Sequence, residues 1–355
     1  MTTPHLETKY PNIGTTIFTV MSALATEKNA VNLGQGFPDF DCDPQLVACV
    51  NDAMTHGLNQ YPPMTGVPVL REAVADKIES LYQHRYDPTT EITITAGATQ
   101  AILSIILAVV RAGDEVIVSP YTMSASATAI LFYGGIPVFA DIDPDTFNIT
   151  ATTIESRITP RTRAIMVVHI FGQAADMDPI MSLAKKHNLK VIEDGAQCPG
   201  IKYKGRPIGT IGDIGGFSLN YHKHIHTGEG GMLVTNDDKL ALRCQLIRNH
   251  AENLIEDLGV DDLSNMLGSN YRLTELQAAI GCVQLDRVQG YLDHRKRLAA
   301  HFGRKLAEFD GITAAKVANG AEHAYYLYPI KFNAAKVGIS RSNFVKAVNA
   351  ELPPP

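Results

Sequence analysis

The chain has no CxxC pair, no basic block, no membrane-length apolar run and no apolar leader, and each absence removes a class of function. Its five cysteines (Cys42, Cys49, Cys198, Cys244, Cys282) are scattered and odd in number. That pattern reads as reduced, mostly buried thiols in a cytoplasmic protein, not as a disulfide framework. Formal net charge is −6, from 31 Lys plus Arg against 37 Asp plus Glu, so nothing in the electrostatics recommends nucleic acid or an anionic membrane as partner. The longest apolar run, Ala101 to Val110, is too short to cross a bilayer. The opening MTTPHLETKYPNIG lacks the apolar core that directs secretion. No repeat or low-complexity tract stands out.

What is present is an ordinary globular balance, 45% hydrophobic and 19% charged over 355 residues, enough for one large domain and a smaller one. From Glu91 onward short Val- and Ile-rich strands alternate with helices. EITIT, DEVIVS, IPVFADI, RAIMVVHI and LKVIED read as strands; ATQAILSIILAVV, SASATAILFYG and MDPIMSLAKKHN read as the helices between them. This is the signature of a parallel sheet covered on both faces. GGFSLN and GGMLVTN add two strands. DDKLALRCQLIRNHA is a helix, and LTELQAAIGCVQLDRV runs on through YLDHRKRLAAHFGRKLAEF as a long amphipathic one. HAYYLYPIKF is expected to begin a small domain with a strand. The division expected is an N-terminal arm at 1–44, a large α/β domain at 45–295, and a small α+β domain at 296–355. That last domain reads as truncated at ELPPP, because a small domain needs more elements to close a core.

In open parallel sheets, ligands bind beyond the carboxyl ends of the strands, and several polar residues fall there. TITAGATQA gives strand, glycine turn and helix, so Gly97, Ala98 and Thr99 offer backbone N–H groups to a phosphate; many strand–helix turns look the same. KVIEDGAQC ends a buried strand in Asp194, with Gln197 three residues on. Asp194 is either a helix cap or a counter-ion for a protonated ring nitrogen. The stretch SLNYHKHIHTGEGG encloses Lys223 between His222, His224 and His226. Three alternate histidines on a strand suit zinc, but no carboxylate or cysteine partner accompanies them at a fitting spacing, and no metal is expected. A solvated strand explains the histidines but not the lysine. A Schiff-base lysine needs a depressed pKa, from burial or a neighbouring cation. A phosphate cradle, a ring-nitrogen aspartate and such a lysine together call for pyridoxal 5'-phosphate.

On GDEVIVSPYTMSASATAILFYGGIPVFADID, VIEDGAQC, GFSLNYHKHIHTGEGGMLVTND and LGSNYRLTELQAAIG, residues 120–355 resemble the DegT/DnrJ/EryC1/StrS family of sugar and aminocyclitol aminotransferases. The resemblance implies the α/β fold-type I of pyridoxal phosphate enzymes, with a mostly parallel, doubly wound sheet. It implies catalytic roles for Lys223, as the Schiff-base lysine and proton carrier, and for Asp194, on the ring nitrogen. Gln197 would lie near the ring hydroxyl, Ser218 on the phosphate, and Asn270 on the phosphate of the other subunit of a homodimer with shared active sites. Met123 stands where the family often has a ring-stacking aromatic residue; a thioether packs on a ring face too. The substrates implied are a glutamate- or glutamine-like amino donor and a keto-sugar or keto-cyclitol acceptor.

Residues 11–118, with IGTTIFTVMSALATEKNAVNLGQGFPDF, NQYPPMTGVPVLREAVADKI and ITITAGATQAILSIILAVVRAGDEVIV, resemble instead class I/II aminotransferases of methionine or kynurenine type. That resemblance puts Gly36 near a substrate carboxylate and Tyr61 on the phosphate across the dimer. The chain thus reads as composite, joined between Gly113 and Pro120, where both families carry GDEVIV. The later class I/II residues are missing: Arg341 is the only arginine after Arg304. Two other readings stand beside the sugar aminotransferase: an amino-acid aminotransferase of methionine or aromatic type, and an inactive composite chain that only binds cofactor.

Overall fold

The alternation of strands and helices resolves into one twisted sheet with helices on both faces. The structure is a computed structural model describing residues 17–28, 41–58, 62–251 and 266–351. Its strands are β1 (Ile92–Thr95), β2 (Glu115–Val118), β3 (Ile136–Phe139), β4 (Thr162–Val168), β5 (Lys190–Asp194), β6 (Lys202–Tyr203), β7 (Arg206–Pro207), β8 (Ile214–Ser218), β9 (Gly231–Val234), β10 (Ile312–Ala314) and β11 (Ile330–Phe332). The helices are α1 (Ile17–Glu27), α2 (Pro44–Thr55), α3 (Pro68–Tyr82), α4 (Ala98–Val109), α5 (Ser124–Phe132), α6 (Ala151–Glu155), α7 (Met177–His187), α8 (Asp238–Arg248), α9 (Glu275–Leu306), α10 (Ala334–Val337) and α11 (Arg341–Glu351). Seven strands form the main sheet in the order β1-β9-β8-β5-β4-β2-β3; β6 pairs with β7, and β10 with β11. In the main sheet β9 runs antiparallel to both its neighbours, and β8, β5, β4, β2 and β3 are parallel.

Two compact units divide the chain. One spans Pro44–Phe332; α1, α10 and α11 belong to the other, built from the two ends of the sequence. The site lies in the first.

Strand side chains alternate between faces, and the core divides accordingly. Ile165 and Val167 of β4 and Val191 of β5 join the cluster that includes residues of α3, α7 and α9. Ala164, Met166 and Val168 of β4 and Ile192 of β5 join the cluster of α4, α5 and α8. A strand buried on both faces reads as a continuous apolar run, as the sequence of β4 does. Helix α4 has seven consecutive buried residues, Ala101–Leu107, because it packs against the sheet, α5 and α8 together. Helix α9 is one uninterrupted element of 32 residues, opened by a capping box in which Thr274 accepts from the Gln277 N–H and Gln277 reaches back to the Thr274 backbone.

Candidate active site

At the carboxyl edge of the sheet the register aligns the chain's polar residues. Thr95 of β1 pairs with Gly231 of β9, and Gly231 pairs with Ser218 of β8. Val168 of β4 pairs with Asp194 of β5, and Asp194 with Gly216 of β8. The segments leaving these strands therefore converge: 97–99 after β1, 121–123 after β2, 169–172 after β4, 195–198 after β5 and 219–230 after β8.

The phosphate end is a cleared helix terminus. Gly97 caps α4, and the first N–H groups of a helix have no intrahelical acceptor. A Cβ on Gly231 would stand 2.4 Å from the Ala98 nitrogen, so only glycine lets β9 approach this turn. Ser218 is buried, and its hydroxyl accepts from the Asn220 N–H at 3.2 Å, which leaves its proton to donate.

The ring end is a buried carboxylate. Asp194 is 5% exposed; its Oδ2 accepts from the Ser126 hydroxyl at 2.9 Å and its Oδ1 from the Ala196 N–H at 3.1 Å. Among the described residues no cation lies within ion-pair distance of it, although its charge reaches the Lys223 amine. A buried carboxylate with lone pairs to spare suits a protonated ring nitrogen. Gln197 accepts from the Phe171 N–H through Oε1 at 2.5 Å, which turns its amide N–H₂ to other partners.

Lys223 belongs to a loop, not a strand. Its N–H donates to the Asn220 carbonyl at 2.9 Å, and the histidines around it share no face: His222 is exposed, His224 buried, His226 half-buried. The solvated strand weighed for these histidines is not formed; turns take its place. Burial holds the Lys223 amine below its ordinary value, against the charge of Asp194, which favours the ammonium; burial keeps the Cys198 thiol protonated. A depressed amine beside a carboxylate is what a carbonyl-condensing lysine requires. Burial pushes His224 down to about 4, although its Nε2 bonds the Ala324 carbonyl at 2.9 Å. These features fit pyridoxal phosphate: a donor-rich terminus for its phosphate, an uncompensated carboxylate for its ring, and a neutralisable amine for its aldehyde.

The remaining candidates are distributed unevenly. Met123 opens α5 at the same edge, yet its side chain is 68% exposed. Aromatic surface at this edge comes from Tyr121, Phe147 and Phe171, whose centroids lie 5.7–5.9 Å apart. Asn270 is exposed beside Tyr271, whose carbonyl accepts from the Ala96 N–H at 2.8 Å. Tyr61 and Gly36 lie outside the described residues.

Sequence reasoning missed several residues. Ser126, which holds Asp194, hides in the run SASATA. On the opposite face of β5, Glu193 is fully buried and accepts from His169 Nε2 at 3.0 Å, from the Gly209 N–H at 2.8 Å and from the Ile211 and Gly212 N–H groups at 2.6 Å each. His169 Nδ1 accepts from the Ala175 N–H at 3.1 Å, which places the ring proton on Nε2. Tyr326 was also missed: HAYYLY is not strand until Ile330, and the Tyr326 ring centroid lies 4.5 Å from Lys223 Nζ. Its aromatic run was the available signal.

Comparison with known proteins agrees with this geometry. The sequence profile of the DegT/DnrJ/EryC1/StrS aminotransferase family matches residues 84–352. A GDP-perosamine synthase of Caulobacter vibrioides is 40% identical over 264 residues, 73% of this chain and 69% of that protein. An L-glutamine:scyllo-inosose aminotransferase of Streptomyces griseus is 35% identical over 269 residues, 74% of this chain and 63% of that one. The X-ray structure of an aminotransferase from Psychrobacter cryohalolentis superposes with a TM-score of 0.77 at 31% identity, covering 89% of this chain and 82% of the other. The composite reading of residues 11–118 finds no support: the family match reaches back to residue 84, so residues 84–118 fall within it. The two families share strand, glycine turn and helix at this point of a common fold, which makes ITITAGATQ and GDEVIV weak discriminators.

Proposed function

The chain belongs to the DegT/DnrJ/EryC1/StrS aminotransferase family of pyridoxal phosphate enzymes, and from that premise we propose that it transfers an amino group from glutamine or glutamate to a keto-sugar or keto-cyclitol. The observation that carries this reading is the pairing, at one sheet edge, of a desolvated Lys223 amine with the buried Asp194 carboxylate. The names of the relatives support the substrate class: one acts on a GDP-linked sugar, the other takes L-glutamine as donor and a cyclitol ketone as acceptor.

In this reading the N–H groups of Ala98 and Thr99, after Gly97, and the Ser218 hydroxyl hold the phosphate. Asp194 keeps the ring nitrogen protonated, and Gln197 donates to the ring hydroxyl. Met123 closes over the ring edge. Asn270 and Tyr61 reach the phosphate of the partner in a homodimer, and Gly36 borders the substrate. When bound, the cofactor supplies a conjugated cation that accepts electrons from the substrate carbon. Lys223 would hold the aldehyde, and its free amine would carry a proton from the donor carbon to the adjacent position, a role suited to a base whose pKa burial has lowered. The five free thiols support a reducing cytoplasmic setting.

Adding L-glutamine or L-glutamate to the loaded enzyme should bleach the visible cofactor band. A nucleotide-linked keto-hexose, or a cyclitol ketone such as scyllo-inosose, should restore it. Bleaching by methionine alone, with no recovery on any keto-sugar or cyclitol ketone, would contradict the proposal.

A further inference from the structure

The segment 322–327 is tied to the carboxyl edge by an unusual turn. Phe171 has φ 60°, uncommon for a residue with a side chain, and Gly172 follows at φ 96°. A Cβ on Gly172 would stand 2.9 Å from the Tyr326 nitrogen. The turn presents two carbonyls outward: Gly172 accepts from the Ala324 N–H at 2.7 Å and Phe171 from the Leu327 N–H at 3.2 Å. Arg295 of α9 donates to the Tyr325 carbonyl at 2.9 Å, and His224 bonds the Ala324 carbonyl. Strained backbone is retained where surrounding contacts over-determine it, and such places gather at functional sites. What these contacts fix is the ring of Tyr326, with its centroid 4.5 Å from Lys223 Nζ.

We propose that Tyr326 is a catalytic residue, its ring face stabilising the protonated Lys223 amine. The inference rests on Lys223 being the reactive amine. Taking up a proton in a desolvated site is costly, and an aromatic face offsets that cost without adding a charge. The other groups around the amine are assigned. Asp194, from β5, favours the ammonium, while burial keeps the Cys198 thiol in the segment after it protonated. His224 and His323 are both held near 4 and carry no charge at neutral pH. Arg295 is a cation whose charge lowers the pKa of both His224 and Tyr326. Tyr326 thus adds the attraction a base needs to hold a proton briefly, leaving the Asp194 carboxylate to the cofactor.

Competitive acetylation of the cofactor-free enzyme, followed on the Lys223 peptide against pH, reads the amine directly. Replacing the ring with aliphatic side chains, Tyr326→Leu and Tyr326→Met, should lower the midpoint by roughly half a unit to one and a half units. Tyr326→Phe should keep it near the wild-type value, since the face remains. Equal midpoints in all variants, each shown to be folded by its thermal transition, would overturn the inference; so would a Phe variant that behaves like Leu, which would assign the effect to the hydroxyl. The titration needs no bound cofactor, so failure of the Lys223 assignment appears separately, as cofactor linkage that survives Lys223→Ala.

Discussion

Glu193 and Asp194 are neighbouring buried carboxylates on one strand that face opposite layers, and their hydrogen bonds separate their roles. Glu193 is saturated by His169 and three backbone N–H groups, and its task is to pin the 209–212 turn to β5. Removing the imidazole with His169→Ala should cost about 1.5–3 kcal/mol in chemical denaturation for the lost charged hydrogen bond alone; an unchanged midpoint would contradict that role. Asp194 keeps lone pairs open. Asp194→Asn should lower turnover on the order of 10²–10³-fold, by analogy with loss of one preorganised electrostatic group, while leaving the fold's denaturation midpoint little changed. Two other buried histidines, His224 and His323, set a pH limit. Both are depressed from 6.5 to about 4, so below pH 6.5 the unfolded chain binds protons that the folded chain refuses. Their contribution is complete above pH 6.5 and is lost as pH falls toward 4, at up to about 1.4 kcal/mol per pH unit for each. Denaturation series at pH 7, 6 and 5 should show this loss, and replacing His323 with Gln should flatten it.

Among the elements, the contact between β9 and the start of α4 is sensitive to size. Gly231→Ala forces a Cβ onto the Ala98 nitrogen, which should destabilise by about 1–3 kcal/mol and weaken cofactor binding by displacing the helix terminus. A cofactor titration unaffected by this substitution would separate the turn from the phosphate. The elements themselves were largely legible. Val- and Ile-rich runs of four to seven residues marked β1, β2, β4 and β5. The direction of β9 was not legible, because strand patterning carries no sign, and its reversal follows from the short connection after β8. Nor was the 220–230 loop: alternate histidines mimic a strand, and only the turns at Asn220 and Gly228 break it.

For the molecule as a whole, the parts of the site carried by contiguous sequence were readable, and those assembled across distance were not. Asp194, Gln197, Ser218 and Lys223 come from two short stretches after adjacent strands, where topology guarantees their meeting. Tyr326 arrives from 103 residues beyond the lysine, on a segment whose course depends on the left-handed Phe171–Gly172 turn. The composite reading failed for a related reason: folds sharing strand order share short motifs, and a profile across 84–352 weighs what single motifs cannot. The central claim concerns one amine. Sodium borohydride treatment of the pyridoxal phosphate-loaded protein, followed by peptide mass mapping, should find the reduced cofactor on the peptide bearing Lys223 and none on the Lys223→Ala variant. Label on another lysine, or label that persists in the variant, would contradict the account.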